Sequence, residues 1–349
     1  MIQRDGRRRQ PNVRHRGPSC PKRGITVPRT AQEPAPSSWI PVPRSHVHKH
    51  NADEAMLTAW RQTGPDTFLI RALWPGSHSF YSTGTDGTDP LLFGETVRQC
   101  LPMLSHAAYE VPLGHHLLWE TYDYSLTPGR PADGSRPCPH TMPREITLYV
   151  RCTDVTRRGA RAASATVHIR ALHGDSLIGT ATTRFAVQSP AVYRRLRAGY
   201  ADTAHALERR LLPPAPLPAR EAGRERTRDV VLAPTTVPGR HQLRVDTGHP
   251  VLFDHPVDHV PGILLLDAAR QAAHAASAAR PCQAIGMTTR FFRYVEFDAP
   301  CWIDTAADPA APTRLRVTAR QYGRECFTAS VALTTVPRAN DRFEMCGVG

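Results

Sequence analysis

The order of apolar and polar residues predicts a β-hairpin early in the chain and a run of strands further along. Apolar-rich residues 54–60 and 67–74 flank a Gly-Pro-Asp turn, in which proline sets φ and glycine lets the chain reverse. Residues 144–188 contain three stretches rich in apolar and β-branched residues, separated by glycine-containing turns. Both regions therefore predict antiparallel strands.

Between these strands lies a stretch that predicts a buried helix. Residues 90–108 carry apolar side chains at close to helical spacing, and Pro90 suits the first position of a helix. Pro102 lacks the N–H that a helix interior needs, so the helix is expected to end near Cys100. Because the stretch is apolar on most of its faces, a sheet is expected to wrap around it.

The second half of the chain predicts the same order of elements. A helical stretch over about 190–212 leads into a Pro- and Arg-rich segment at 213–229, which predicts a linker. Another long helix is expected to open at Pro261. The strands predicted around it lie at 229–233, 241–247, 284–298, 313–321 and 325–336.

Sliding the chain on itself by 172 positions brings the two helices into register. The polar trio of the first helix then falls on a trio of the same chemistry in the second: Glu95, Arg98 and Gln99 on Asp267, Arg270 and Gln271. The chain is therefore predicted to be two copies of one unit of about 150 residues.

This organisation predicts an α+β protein of two tandem hotdog-fold units, each a long central helix wrapped by a curved antiparallel sheet. The two units are expected to pair as an intrachain pseudo-dimer, because each sheet has an edge to cover. The expected divisions are a disordered basic tail at 1–45, a first repeat at 46–189, a helical connector and linker at 190–228, a second repeat at 229–336 and a C-terminal tail at 337–349.

Composition narrows the function classes. The chain is 40% hydrophobic and 21% charged, and no apolar run approaches the roughly 20 residues of a membrane span. The eight cysteines form no CxxC pair, and no secretory apolar segment follows the basic start, which favours a reduced, cytoplasmic protein. Much of the net charge of +13 lies in residues 1–45, so nucleic acid is expected only as a weak contact of this tail.

The start of the second long helix is the most informative candidate site. Pro261 and Gly262 at a helix start leave backbone N–H groups free and let a ligand approach closely. These groups could hold a thioester carbonyl and stabilise an oxyanion on it. Asp267, Arg270 and Gln271 follow in an otherwise apolar helix, where they need partners; an ion pair that only docks the two units is the alternative interpretation.

Histidines before both helices are candidate bases or hydrogen-bond donors, namely His78, His249, His255 and His259, and a structural role is the alternative for each. The His-x-His-x-His run at 46–50 would place three metal-ligand side chains on one side of a strand. Without a carboxylate or cysteine partner, this run predicts no metal site, and no cofactor is expected.

Several segments resemble the A-factor biosynthesis (AfsA-type) family of γ-butyrolactone synthases: HKHNADEAMLTAWRQTGPDTFLIRALWP, HSFY, DPLLFGETVRQ, PLGHH and DHPVDHVPGILLLDAARQAA. The likeness covers about residues 46–336. VPGILLLDAARQ also looks like the helix of hotdog 3-hydroxyacyl-carrier-protein dehydratases, although Phe253 stands where those enzymes have their histidine.

The resemblance implies an acyltransferase. A 3-oxoacyl group would pass from a thioester on acyl carrier protein to the hydroxyl of dihydroxyacetone phosphate. Intramolecular aldol condensation of the ester would then give a butenolide phosphate, the precursor of a γ-butyrolactone signalling molecule that regulates antibiotic production. Acyl carrier protein and dihydroxyacetone phosphate are therefore the expected partners, with no membrane.

The resemblance also implies that Glu95 and Arg270, one from each repeat, are catalytic. Glu95 is the first candidate to take the hydroxyl proton, and Arg270, followed by Arg98, is the candidate to hold the phosphate. The other residues expected to contact substrate are Gln99, Asp267, Gln271, His115, His255, His259 and Gly262.

Three other functions fit the same pattern. A thioesterase or dehydratase on the hotdog fold would need no phosphate acceptor. A binding module would hold an acyl ligand without turning it over, and its basic tail would reach nucleic acid. A degenerate scaffold would explain the unusual Gly94, Cys100, Pro102 and His106 of the first helix.

Overall fold

The computed structural model describes residues 38–81, 88–127, 142–277, 282–311 and 313–335. The elements of the first repeat are, in chain order, β1 (Ile40–Pro41), β2 (Leu57–Gly64), β3 (Thr67–Trp74), α1 (Pro90–Ala107), β4 (His116–Leu126), β5 (Arg144–Arg158), β6 (Arg161–His173) and β7 (Ser176–Gln188). The remaining elements are α2 (Pro190–Arg197), α3 (Thr203–Glu208), β8 (Leu232–Pro234), β9 (Arg240–Leu243), α4 (Gly262–Ala276), β10 (Cys282–Phe291), β11 (Trp302–Ala307), β12 (Arg314–Gln321) and β13 (Arg324–Thr335).

The two halves of the sheet repeat one strand order. Read toward the middle, the first half runs β2-β3-β5-β6-β7-β4 and the second runs β8-β9-β11-β12-β13-β10. β4 and β10 pair antiparallel in the middle, with Tyr122 opposite Thr289, so one sheet continues across both repeats. Each half packs on one long helix, α1 or α4. The predicted tandem hotdog architecture is therefore confirmed.

The two central helices approach each other closely at Gly94 of α1. A Cβ atom built at this glycine would lie 3.5 Å from the Tyr122 hydroxyl and 3.7 Å from side-chain carbons of Ile263 and Leu266 in α4. These are ordinary van der Waals distances, so the glycine is not required by the packing. The contact nevertheless shows that the helices of the two repeats share one core.

The starts of the two helices differ. The side chain of Asp89 accepts hydrogen bonds from the N–H groups of Leu91 (2.7 Å) and Leu92 (3.4 Å), which caps α1. α4 follows Pro261 and has no side-chain cap. The first N–H groups of α4 are therefore free to bind something else.

Asp89→Ala should lower the free energy of unfolding by about 1–2 kcal/mol, because it removes the cap of a buried helix. Urea denaturation followed by circular dichroism would measure this loss. Asp53→Ala, at an exposed aspartate, should change the value by less than about 0.5 kcal/mol. Equal stability of Asp89→Ala and the wild type would show that the cap contributes nothing.

The prediction that the first helix ends near Cys100 is wrong, since α1 continues through Pro102 to Ala107. A proline in a helix interior costs about 3 kcal/mol. The part of the helix beyond Cys100 buries Met103 and Leu104 completely, and Leu101 almost so. At about 1.5–3 kcal/mol for each buried side chain, this burial outweighs the cost.

The predicted strands and the predicted tail also need correction. Strands β4 and β11 were not predicted. Residues 38–45, assigned to a disordered tail, include β1, which pairs with β2. The ring of Trp39 there lies 4.1 Å from the guanidinium of Arg71, a cation–π contact that holds the segment. Residues 1–37 of the predicted tail, and the C-terminal tail at 337–349, lie outside the described residues.

The segment predicted as connector and linker packs on the second repeat. α2 and α3 occupy its first part, and Leu217 and Ala222 are buried in its second part. Leu217 N–H donates to the Leu232 carbonyl of β8, which fixes the segment at the edge of the sheet. Within the ranges the structure describes, no helix is long and apolar enough to cross a membrane.

Candidate active site

A cavity of about 510 Å³ lies between the two repeats, a volume typical of small-molecule sites. One wall comes from α1 and includes Glu95 and Arg98. The opposite wall contains the start of α4 and the loop before it, with Gly262 and Ile263. Much of the remaining lining is apolar, including Leu101, Pro102, Leu118, Trp119, Val260, Leu265 and Phe291.

Glu95 is almost fully buried and carries most of the hydrogen bonds at the first wall. Its two oxygens accept from Arg98 Nε and Nη2 (both 2.8 Å), and Oε1 also accepts from Gln99 Nε2 (2.9 Å). Lys49 Nζ lies 3.1 Å from Oε1. Burial alone would raise the pKa of Glu95, but Arg98 and Lys49 lower it to about 2. Glu95 is thus an anion that holds two cations at the cavity and has little basicity left.

The second trio repeats this arrangement around Asp267. Arg270 Nη2 donates to Asp267 Oδ1 (2.8 Å), and Gln271 Nε2 donates to Oδ2 (2.9 Å). Arg224 takes the place of Lys49, with Nη2 2.5 Å from Oδ2. The predicted correspondence of the two trios is therefore present in three dimensions.

The residues that surround the two trios also correspond to each other. Gln99 donates to the Glu54 carbonyl and Gln271 to the Asp229 carbonyl. His78 pairs with the Glu54 carboxylate at 3.0 Å and accepts from two backbone N–H groups; His249 does the same with Asp229 at 3.2 Å. Both histidines thus have the structural role that was kept as the alternative for them.

The two clusters nevertheless differ in what surrounds them. Lys49, Glu95 and Arg98 line the cavity, whereas the lining includes neither Asp267 nor Arg270. Asp267 is completely buried, and Arg224 beside it is 7% exposed. The start of α4, which faces the Glu95 cluster, is uncapped, while α1 is capped by Asp89. The cluster around Glu95 is therefore the one that lines this cavity.

The sequence-predicted site residues fall into two groups. Glu95, Arg98, His115, His255, His259 and Gly262 line the cavity, and Gln99 lies behind Glu95 and supports it. Asp267, Arg270 and Gln271 form the second cluster. Glu95 and Arg270 therefore lie in separate hydrogen-bonded trios, and of the two it is Glu95 that lines the cavity.

Trp119 of β4 packs directly on the start of α4. A Cβ atom at Gly262 would lie 2.9 Å from Trp119 Cε3, so only glycine fits without a shift. The indole stacks on Phe291, with ring centroids 5.1 Å apart, and donates to Thr183 Oγ1 at 2.7 Å. Among the described residues, the N–H groups of Gly262 and Ile263 have no hydrogen-bond acceptor. Two unpaired donors at a helix N-terminus thus belong to residues that line the cavity.

The loop before α4 contains two Asp-His pairs. Asp254 accepts from the backbone N–H groups of His50 (2.6 Å) and Asn51 (2.8 Å), and His255 Nδ1 lies 3.3 Å from it. This contact ties the segment that carries Lys49 to the second repeat. His259 Nδ1 lies 2.6 Å from Asp258 Oδ1.

The His-x-His-x-His run does not lie on a strand, the conformation in which its three side chains would share one side. Residues 44–47 form a 3₁₀ turn, and His48 follows with φ at 53°, so the side chains do not share one side. His48 Nε2 is hydrogen bonded to His106 Nε2 at 2.8 Å, while the His50 ring packs on His255. In the described ranges, no group of three or more His, Cys, Asp or Glu side chains is arranged to hold a metal ion.

Sequence reasoning missed Lys49 and Trp119. The signal for Lys49 was present in the family-like segment HKHN, but nothing local indicated that Lys49 meets a carboxylate 46 positions away on α1. Trp119 follows the quoted segment PLGHH. Its role depends on β4 meeting β10 at the junction, and β4 was not predicted.

Lys49→Met should lower the stability of the protein at pH 7, and its difference from the wild type should narrow as the pH falls toward 3. The folded-state pKa of Glu95, about 2, lies below the ordinary value near 4.3, so its ionised form stabilises the fold above about pH 4 and this contribution is lost as pH falls toward 2. Removing Lys49 raises the folded-state pKa of Glu95. The stabilisation that ionised Glu95 provides at pH 7 therefore becomes smaller, and it is lost at a higher pH than in the wild type. Urea unfolding midpoints at pH 7, 5, 4 and 3 measure this effect. Lys49→Arg keeps the charge and should behave like the wild type. If Lys49→Met and the wild type had the same midpoints at every pH, the ion pair between Lys49 and Glu95 would be contradicted.

The fold and the cavity together define a class, that of double-hotdog proteins with a cavity at the junction of the repeats. The sequence matches the A-factor biosynthesis hotdog domain over residues 30–189 and 205–337. The chain belongs to this family.

Curated relatives agree in name and length. A 2-oxo-3-(phosphooxy)propyl 3-oxoalkanoate synthase of Streptomyces virginiae is 40% identical over 293 residues, which cover 83% of this chain and 96% of the relative. A synthase of the same name from Streptomyces coelicolor is 38% identical, and the alignment covers 84% of this chain and 91% of the relative. One from Streptomyces griseus is 39% identical, and the alignment covers 86% of this chain and 97% of the relative.

Solved structures show weaker likeness. The 12:0-ACP thioesterase from Umbellularia californica has a TM-score of 0.43 and 8% identity, covering 77% of this chain and 98% of its own. A fusion DH domain has a TM-score of 0.39 and 16% identity, covering 83% and 96%.

Proposed function

We propose that this chain is an acyltransferase that moves a 3-oxoacyl group from an acyl-carrier-protein thioester to the hydroxyl of dihydroxyacetone phosphate. The ester then closes by intramolecular aldol condensation to a butenolide phosphate, the precursor of a γ-butyrolactone-type signal that regulates antibiotic production. The name shared by the relatives describes this ester, and their alignments span more than four fifths of the chain. Carrier-protein thioesters belong to the cytoplasm, where we expect the reaction.

The main support for the proposal is that one cavity combines an apolar lining, free backbone N–H groups and cationic side chains. Its apolar part suits an acyl chain. The free N–H groups of Gly262 and Ile263 suit the oxyanion that forms when a thioester carbonyl is attacked. Lys49 and Arg98 add two cations, which suit a phosphate.

These placements refine the roles expected from the sequence. Arg98 and Lys49 line the cavity, so we assign the phosphate to them rather than to Arg270. The low pKa of Glu95, about 2, makes it a poor proton acceptor. We therefore assign Glu95 to positioning Lys49 and Arg98, and the proton of the hydroxyl to another group.

Mass spectrometry of the purified protein with a 3-oxoacyl carrier-protein thioester and dihydroxyacetone phosphate tests the proposal. The ester or the butenolide phosphate should form only when both substrates are present. Lys49→Gln should raise the KM for dihydroxyacetone phosphate while leaving binding of the acyl thioester within about twofold, because the phosphate loses a charged partner. Free 3-oxo acid, formed at the same rate with or without dihydroxyacetone phosphate, would make the protein a thioesterase instead.

A further inference from the structure

We propose that His259 is the general base and acid of acyl transfer, held in its working tautomer by the buried carboxylate of Asp258. This inference rests on the proposed function, since it assigns a catalytic residue to that reaction. The sequence predicted His259 as one of four histidines that could act as a base or hydrogen-bond donor, and as a contact with substrate, without distinguishing it from the others.

Asp258 is a buried aspartate whose carboxylate is hydrogen bonded to the imidazole of His259. It is 6% exposed, and its carboxylate accepts from the Tyr193 hydroxyl (2.7 and 2.9 Å) and from His259 Nδ1 (2.6 Å). Arg197 compensates the charge, with Nη2 donating to the Asp258 carbonyl at 3.1 Å and the guanidinium bound to Glu296 as well. Burial would raise the pKa of Asp258, but His259, Tyr193 and Arg197 lower it to about 2. A permanent carboxylate therefore faces Nδ1.

Because a carboxylate only accepts hydrogen bonds, Nδ1 of His259 must carry the proton. The opposite nitrogen, Nε2, then has a free lone pair when the ring is neutral. His259 lines the cavity, and Nε2 has no hydrogen-bond partner among the residues that the structure describes. This lone pair is thus available to a substrate hydroxyl.

The position of His259 along the chain places it beside the oxyanion site. It precedes Gly262 by three residues on the same loop, and both residues line the cavity. The Tyr294 ring packs edge-on against the imidazole, with centroids 4.6 Å apart, and limits its rotation. A base and two oxyanion donors on one short, anchored loop is the arrangement that attack on a carbonyl requires.

The other four cavity histidines are less suited to this role. His115 Nδ1 has no hydrogen-bond partner among the described residues, so nothing fixes the tautomer of its ring. His48 is already hydrogen bonded to His106 through Nε2. His116 lies flat on the Tyr193 ring, with centroids 3.5 Å apart. His255 lies farther from its carboxylate, at 3.3 Å, and that carboxylate is occupied by two backbone N–H groups.

Acyl transfer by this route needs no reagent beyond the two substrates and His259. Nε2 takes the proton of the acceptor hydroxyl as the oxygen forms a bond to the thioester carbon, and the N–H groups of Gly262 and Ile263 hold the oxyanion. The tetrahedral intermediate then reforms the carbonyl and breaks the carbon–sulfur bond. The imidazolium returns its proton to the leaving thiolate, so the products are the ester and the free thiol of the carrier protein.

The test compares two acceptors in His259→Ala. With dihydroxyacetone phosphate, kcat should fall by about 10²-fold to 10⁴-fold, the usual contribution of a positioned base. Hydroxylamine attacks thioesters without needing a base, so transfer to it should fall by less than about tenfold. Added imidazole, which fits the space left by the ring, should restore transfer to dihydroxyacetone phosphate at least tenfold.

Controls separate this assignment from a structural role and from failure of the proposed function. His168→Ala, at a β6 histidine hydrogen bonded between Thr153 and Thr182, should stay within twofold of the wild type. Asp258→Asn keeps the shape of the side chain and should lower kcat while leaving binding of a hydrolysis-resistant acyl thioether within twofold.

The outcomes are distinguishable. Full activity of folded His259→Ala with dihydroxyacetone phosphate, or an equal loss with both acceptors and no rescue by imidazole, would overturn the role of His259. Absence of ester formation by the wild type would instead overturn the proposed function.

Discussion

Glu95→Gln should lower kcat for acyl transfer by about 10²-fold to 10³-fold. Glutamine keeps the shape of the side chain but loses the charge that anchors Lys49 and Arg98 at the cavity wall. Once these cations move by about 1 Å, the acceptor is no longer held in line with the thioester, and misplacement on that scale costs about 10²-fold. Steady-state kinetics at saturating concentrations of both substrates would measure the loss.

The chain offers a matched control in Asp267→Asn. Asp267 is as buried as Glu95 and accepts from an equivalent set of donors. Both substitutions leave buried cations without their carboxylate, so both should lower the free energy of unfolding by about 3–5 kcal/mol. Turnover per folded molecule should fall less than tenfold for Asp267→Asn. The reverse pattern would place the active site at the second cluster.

A substitution of Arg270 distinguishes a structural role of this residue from the catalytic role that the family resemblance implies. Arg270→Met should lower stability, because Asp267 loses one of its two cations, while folded molecules keep most of their turnover. Folded Arg270→Met with kcat lowered by 10²-fold or more would instead support a catalytic role for Arg270.

Gly262→Ala should lower kcat by about 10²-fold with the fold retained. The added methyl would lie 2.9 Å from Trp119 Cε3 and 3.4 Å from Phe291 Cε1. Trp119 is held by its stacking on Phe291 and its bond to Thr183, so the start of α4 must move instead. Displacing one oxyanion donor costs about 10²-fold to 10³-fold in kcat. Single-turnover kinetics with excess enzyme would isolate this chemical step.

Gly94→Ala is the matched control, because it adds the same methyl to the other long helix. The nearest atoms would lie 3.5 Å and 3.7 Å away, so no neighbour has to move. Alanine in a helix interior is more favourable than glycine by about 0.5–1 kcal/mol, so the variant should be slightly more stable with unchanged kcat. Equal kinetics of the two alanine variants would contradict the oxyanion role of the α4 start.

The repeat was predictable because its signals are local. The two trios have helical spacing, and the shift of 172 positions aligns them without a gap. Pro261 and Gly262 mark the start of α4 by the conformational preferences of the residues themselves. These features do not depend on distant parts of the chain.

Which of the two trios lines the cavity was not predictable, because that depends on contacts between distant residues. Lys49 reaches Glu95 and Arg224 reaches Asp267 across tens of positions. β4 was missed for a related reason: its first six residues are half-buried, so the strict apolar–polar alternation of a one-sided strand is absent. α1 beyond Cys100 was missed because tertiary burial outweighs the local cost of Pro102.

Photocrosslinking tests most directly the claim that the cavity between α1 and the start of α4 is the acyl-transfer site. The probe is a hydrolysis-resistant thioether analogue of a 3-oxoacyl pantetheine with a diazirine beside the position of the carbonyl carbon, and labelled peptides are read by mass spectrometry. The account predicts labels on residues 255–263 and 115–119, reduced by excess acyl thioester. Labels confined to the peptides that carry Asp89 and Arg270 would contradict it.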